Sequence, residues 1–214
     1  DHAIDTLRSA GRVYECFCTR REIQQAASAP HAPQGAYPGT CRNLTDAERD
    51  ERRRAGRRAA LRLRADVTTA TVHDVLLGDH TGVVDDLVLR RTDGVPAYNL
   101  AVVVDDAFQG VDQIVRGDDL LSSSPRQAYL AGLLGLPVPE YVHVPLALGP
   151  TGARLAKRDG AVTLRDRLDA GESADDVLAE IAASIGAPGG RTVGDLVARW
   201  QPDLLPREPW YVLG

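Results

Sequence analysis

The chain has 214 residues, 43% of them apolar, which is enough for one medium domain or two small ones with a core. Its formal net charge of −5 excludes a surface coated with nucleic-acid-binding charge, though not a local basic face. The longest apolar runs, Leu100 to Val104 and Val142 to Leu148, are strand-sized and exclude a helical membrane span, and three cysteines are too few for a disulfide scaffold.

Residues 1–12 read as the body of an amphipathic helix ending at Gly11, and Val13 to Cys18 as a short alternating strand. Thr19 with Glu22 three residues on is a capping-box pair, predicting a helix through about Ala27. Residues 28–41, rich in Pro, Gly, Ala and Ser, are expected to be irregular. Thr45 with Glu48 opens a second capped helix through roughly Ala55. From Leu61 the period becomes two. Leu61-Arg-Leu-Arg64 and Thr71-Val-His-Asp-Val75 read as strands, Val83 to Arg90 as another, and Thr92-Asp-Gly94 as a turn. Tyr98 to Val104, apolar on both faces, and Asp112 to Val115 read as strands of a buried parallel sheet. Ser124 before Pro125 predicts an N-cap with proline at the first helical position and a helix to about Leu134. Val142 to Leu148 reads as a further buried strand, and Ser173 to Ile185 and Thr192 to Trp200 as helices. Strand, helix and strand argue for half of a doubly wound α/β sheet, preceded by antiparallel material.

Four constellations could carry chemistry. Cys16-Phe-Cys18 followed by Tyr37-Pro-Gly-Thr-Cys41 offers three thiolates to one tetrahedral zinc, with Tyr37 a fourth ligand if the metal helps ionise its phenol. Three unrelated buried thiols explain the same spacing equally well. Arg49, Arg52, Arg53, Arg54, Arg57 and Arg58, interleaved with acids, read as a solvated helix face with i,i+4 pairs, or as a contact for RNA phosphates. Tyr98-Asn-Leu-Ala-Val-Val-Val-Asp105-Asp106 and Arg116-Gly-Asp118-Asp119 place polar groups where open α/β sheets bind ligands. There Arg116 could hold a carboxylate, while the acids could equally cap loops and pair with Arg126. Gly149-Pro-Thr-Gly152-Ala-Arg154-Leu155-Ala156-Lys157-Arg158 is a cationic loop suited to departing pyrophosphate, or an ordinary exposed basic loop.

Taken in order, Tyr98 to Asp106, Val115-Arg-Gly-Asp-Asp-Leu120, Ser124-Pro-Arg-Gln127 and Arg154-Leu-Ala-Lys157-Arg158 resemble the core of the glutamyl branch of the class I aminoacyl-tRNA synthetases. The last segment matches that family's second nucleotide-binding signature, with Arg154 for its first lysine and Ala156 for its serine. The Cys-x-Cys, Tyr-x-x-x-Cys pattern and the short ending resemble the glutamyl-Q tRNA(Asp) synthetases, a shortened branch without the anticodon-binding region.

The resemblance implies the second half of a Rossmann-type parallel sheet, a zinc-containing insertion subdomain and a small carboxyl-terminal helical segment. The corresponding boundaries are 1–94 for the helix end and insertion, 95–150 for the sheet domain, and 151–214 for the signature loop and helical segment. It implies an ATP-dependent activation of glutamate, with magnesium, and transfer to the queuosine base of tRNA(Asp) by a monomer. Asp1, His2 and Asp5 open the sequence with no apolar stretch behind a basic head, so a cytoplasmic protein that does not bind membranes is expected. Tyr98 and Arg116 would bind glutamate. Arg154, Leu155, Ala156, Lys157 and Arg158 would form the ATP loop, with Lys157 stabilising the transition state. Cys16, Cys18, Tyr37 and Cys41 would hold a structural zinc.

The family's first ATP signature, with its paired histidines, does not occur in the 214 residues, the chain contains no methionine, and it opens inside a helical pattern. An amino-terminal portion is therefore expected to be missing, and the chain as it stands is expected to be inactive alone. A glutamyl-tRNA synthetase cut at both ends, charging tRNA(Glu), and a non-catalytic tRNA- or nucleotide-binding paralogue are the alternatives.

Overall fold

The computed structural model describes residues 1–27, 37–149, 151–154 and 163–211. They divide into two compact units, Asp1–Ile114 with Leu121–Tyr141, and Val115–Leu120 with Val142–Gly214.

In the first unit, helix α1 (His2–Ser9) buries Ile4 and Leu7, one turn apart on its apolar face. Strand β1 (Val13–Cys16) pairs antiparallel with β2 (Ala60–Leu63), Val13 opposite Leu63 and Cys16 opposite Ala60. Strand β5 (Val88–Arg90) completes this sheet in the order β1-β2-β5. Helices α2 (Arg20–Ala27) and α3 (Asp46–Arg54) lie between β1 and β2 in sequence. Both begin with the expected capping box. Thr19 Oγ1 accepts from Glu22 N at 3.2 Å while Glu22 accepts from Thr19 N, and Thr45 with Glu48 repeats the exchange.

Strands β3 (Thr69–Asp74) and β4 (Gly78–Val83) form a hairpin, Thr69 opposite Val83 and Asp74 opposite Gly78. Buried Asp74 closes its turn by accepting the N–H groups of Leu76 and Leu77 at 3.0 and 2.9 Å. The expected strand from Val83 to Arg90 is instead the last residue of β4 and then β5, separated by Val84 to Leu87. Two hydrogen-bonding acids, half-buried Asp85 and buried Asp86, stand in this interruption of the ladder.

The segment expected as a strand from Tyr98 is helix α4 (Tyr98–Gln109), closed by Gly110 in the left-handed conformation. A run apolar on both faces does not distinguish a buried strand from a buried helix by its period. The helix runs twelve residues to that glycine stop. Asp105 and Asp106 therefore sit within a helix and not at a strand end. Strand β6 (Gln113–Gly117) follows, then a 3₁₀ turn at Asp118–Ser123 that runs directly into α5 (Ser124–Leu134). The N-cap is accordingly Ser123, without a side-chain cap bond, and Ser124 is a fully buried first helical residue.

Strand β7 (Glu140–Val144) pairs parallel with β3 at Asp74 and Tyr141, and the sheet order is β4-β3-β7-β6. The sheet is thus mixed, with the parallel pairing expected of an α/β fold and an antiparallel edge hairpin. The first unit's core gathers Ile4, Leu7, Leu63, Leu87, Leu89, Leu100 and Leu130.

In the second unit, the expected single strand from Val142 to Leu148 is broken at Pro145, so that β8 (Ala147–Leu148) stands apart from β7. Helices α6 (Leu164–Asp169), α7 (Ala174–Ser184) and α8 (Val193–Arg199) each start from a Thr or Ser capping box, and β9 (Trp210–Tyr211) pairs parallel with β8. Ala182, Ala187 and Leu196 are buried here. Among the described residues, no helix is long and apolar enough to cross a membrane.

Candidate metal centre and substrate site

The end of β1 carries Cys16 and Cys18 towards Tyr37 and Cys41. The three sulfurs lie within 4.8 Å of one another. Cys18 Sγ is 3.5 Å from Cys41 Sγ, and the Tyr37 hydroxyl oxygen is 3.3 Å from Cys16 Sγ and 3.8 Å from Cys18 Sγ. The same oxygen accepts the Cys41 N–H at 2.8 Å. Cys16, Tyr37 and Cys41 are buried and packed with Tyr14 and Phe17. Burial pushes the Cys16 thiol up, but the Tyr37 hydroxyl, the backbone at Cys18 and the Arg62 cation together hold it below its ordinary value. Burial, then the negative Cys16 beside it, pushes Cys18 up to about 12. Burial likewise raises the Tyr37 phenol.

Two adjacent acids brace this cluster. Asp85 accepts the Tyr37 N–H at 3.0 Å and pairs with Arg126 at 3.3 Å. Asp86 accepts the Tyr14 hydroxyl at 2.7 Å, the Ala65 N–H at 2.8 Å and the Arg42 guanidinium at 2.5 Å. Arg126 thus pairs with Asp85, a partner that the sequence reading had not named for it. The Arg62 guanidinium carbon stacks 3.7 Å from the centroid of the Tyr37 ring. Sequence reasoning missed Arg62, Asp85 and Asp86. The signal for the acids was a charged pair inside the apolar run Val83-Val-Asp-Asp-Leu-Val-Leu89.

In the arginine-rich stretch, ion pairs are made by Arg49 and Arg53 of helix α3 and by Arg57 beyond its end. Arg49 meets Asp46, and Arg53 meets Asp50 and Glu15, at i,i+3 spacing within the helix where i,i+4 was expected, while Arg57 reaches Glu22 at 2.6 Å.

Of the proposed glutamate ligands, Tyr98 begins α4 in the first unit and is well exposed. Arg116 stands on β6 in the second unit, where its Nε–H donates to Nε2 of buried His143 at 3.0 Å. That bond requires the His143 proton, if neutral, to sit on Nδ1, and it fixes the plane of the Arg116 fork. His143 is a further residue that sequence reasoning missed, hidden in a segment read only as an apolar strand. At Gly117 an added Cβ would lie 2.7 Å from the end of the Leu146 side chain and 2.8 Å from the Asp119 carboxylate, so a larger residue would have to displace both side chains. Arg154 forms an ion pair with Asp119. Leu155, Ala156, Lys157 and Arg158 lie outside the described residues.

Residues 1–185 match the family described as tRNA synthetases class I (E and Q), catalytic domain. The chain is 66% identical over 97% of its length to a glutamyl-Q tRNA(Asp) synthetase of Nocardia farcinica, of which it covers 67%. A second so named, from Cutibacterium acnes, is 53% identical over 82% of the chain, which covers 50% of that relative. In fold it is similar to the crystal structure of a glutamate tRNA ligase from Elizabethkingia meningosepticum in complex with its amino acid, with a TM-score of 0.77 at 18% identity, over 99% of this chain and 49% of that one. The chain therefore spans half to two thirds of the length of these proteins.

Proposed function

The chain belongs to the class I tRNA synthetases for glutamate and glutamine, and within them to the glutamyl-Q tRNA(Asp) synthetases; from that premise we propose that it serves an ATP-dependent activation of glutamate and its transfer to the queuosine base of tRNA(Asp). The observation that carries this reading is the 66% identity across nearly the whole chain to a relative of that name.

In this reading Arg116 holds a glutamate carboxylate. A planar guanidinium offers two parallel donors to a carboxylate, and the His143 contact removes much of the side-chain freedom that binding would otherwise cost. Tyr98 donates its hydroxyl to the substrate. Lys157 balances charge that builds on departing pyrophosphate, an effect typically worth a few kcal/mol. Magnesium accompanies the ATP.

Cys16, Cys18, Cys41 and Tyr37 hold a structural zinc. A zinc–thiolate distance of about 2.3 Å implies a tetrahedral edge of about 3.8 Å. The 3.5 Å sulfur separation and the 3.3 and 3.8 Å sulfur–phenol distances suit such a set. The metal would tie the end of β1 to the Tyr37–Cys41 segment. It would also reverse the upward push on Cys18 and Tyr37, because a dication favours their anions.

Glutamate-dependent ATP–pyrophosphate exchange by the full-length protein tests the function, first without tRNA and then with tRNA(Asp) or tRNA(Glu). Exchange without tRNA, followed by glutamate transfer to queuosine-containing tRNA(Asp), is expected. Exchange that requires tRNA(Glu) would make the protein a charging enzyme, and no exchange under any condition would leave a binding paralogue.

A further inference from the structure

Strand alternation places Arg62, between Leu61 and Leu63, on the face away from the apolar residues, yet it is only 6% exposed. A guanidinium this deep is costly unless its charge is met. Protein groups meet little of it. One NH group donates to the Asp86 carbonyl oxygen at 2.6 Å, and the Nε–H has no acceptor among the described residues. The neighbouring carboxylates are committed elsewhere, Asp86 to Arg42 and Asp85 to Arg126. What Arg62 does face is the ring of Tyr37, 3.7 Å from its centroid, whose hydroxyl oxygen lies 3.3 Å from the Cys16 sulfur. Three thiolates and a phenolate around one dication would leave a net negative centre in a buried place, which needs a fixed cation beside it.

We propose that Arg62 is the counter-cation of the metal centre, offsetting the charge of the Cys16, Cys18, Cys41 and Tyr37 set and holding the Tyr37 ring so that its oxygen stays at the fourth ligand position. The inference rests on the zinc reading of those four residues and adds a residue outside the ligand set. Arg62 is a positioning residue: it stacks on one ligand, Tyr37, and does not touch the ion.

The test uses the full chain and zinc itself, with affinity measured by competition against a chromogenic chelator, and cobalt(II) absorption as a report on geometry. Arg62→Gln removes the charge but keeps an N–H for the Asp86 carbonyl, and Arg62→Lys keeps the charge and loses the planar stack. Arg62→Gln should weaken zinc binding by about 10- to 100-fold, as losses next to metal ligands commonly do. Arg62→Lys should stay within about threefold of the parent, since it retains the charge. The cobalt(II) d–d bands of Arg62→Lys should shift as the phenol loses its fixed place. Unchanged zinc affinity in Arg62→Gln would overturn the proposal, as would an equally large loss in Arg62→Lys. Should Arg62→Gln not fold, Arg62→Lys decides alone: affinity within threefold supports the role of the charge, and a tenfold loss refutes it. Failure of the parent protein to bind zinc or cobalt(II) would instead remove the metal reading beneath the proposal.

Discussion

Replacing Asp86 by alanine removes the acceptor shared by three donors from three different segments. The Tyr14 hydroxyl, the Ala65 N–H and the Arg42 guanidinium all end on this one carboxylate, which is 5% exposed. The bonds from the neutral Tyr14 and Ala65 donors contribute at least about 1 kcal/mol each, and the Arg42 bond, charged on both sides, about 1.5–3 kcal/mol. Arg42 is 31% exposed, so water recovers part of the last contribution. The expected loss is about 3–4 kcal/mol, a large part of the roughly 5–15 kcal/mol that holds a typical protein folded. Asp86→Asn keeps the shape and one acceptor and should lose about half as much. Urea unfolding followed by far-UV circular dichroism measures the difference, at equal zinc in both proteins. Tryptophan fluorescence is the wrong probe, because Trp200 and Trp210 both lie in the second unit. A loss below about 1 kcal/mol for Asp86→Ala would refute the view of this carboxylate as a hub.

The remaining predictions concern pH, substrate and backbone. The folded, metal-free protein holds the Cys18 proton up to about 12, against an ordinary value of 9.0, mainly through burial. Its stability should therefore be undiminished below about pH 9 and fall as the pH rises towards 12, with the raised Tyr14 and Tyr37 phenols acting in the same direction. Cys18→Ser should flatten that slope, and an unaltered slope would contradict the burial argument. In the full-length protein, Arg116→Ala should raise the glutamate concentration for half-maximal pyrophosphate exchange by about 10- to 100-fold. Lys157→Ala should slow exchange by about 100-fold with glutamate affinity nearly intact; parent-like behaviour of both variants would remove the site assignment. Gly186 has a φ of 74°, and an added Cβ would fall 1.9 Å from the Leu204 carbonyl oxygen. Gly186→Ala should cost more than about 2 kcal/mol in the tryptophan-monitored melt, and a smaller change would mean that the turn can shift freely.

Much of the local structure was legible because its causes are local. The capping boxes at Thr19 and Thr45, the helix stop at Gly11 and the turn at Gly94 each depend on residues no more than three or four apart. The cysteine pattern was legible as a possible metal set, and the ordered motifs pointed to the family that the chain matches over residues 1–185. Where the sequence misled, period alone had to choose between partners it could not see. The Leu100–Val104 run satisfies a strand and a helix equally, and α4 forms because its apolar residues meet α5 and β5.

By itself, then, the sequence determined the capped helices, the Cys-x-Cys and Tyr-x-x-x-Cys pattern and the synthetase motifs, since each is written in neighbouring residues or in a short ordered pattern. Only the tertiary structure decided that Arg62 is buried against Tyr37, that Asp86 gathers Tyr14, Arg42 and Ala65, and that His143 holds Arg116. Those contacts join residues 21 to 72 positions apart. The cost or benefit of burying such a charge depends on which distant groups fold against it, and no local pattern carries that information.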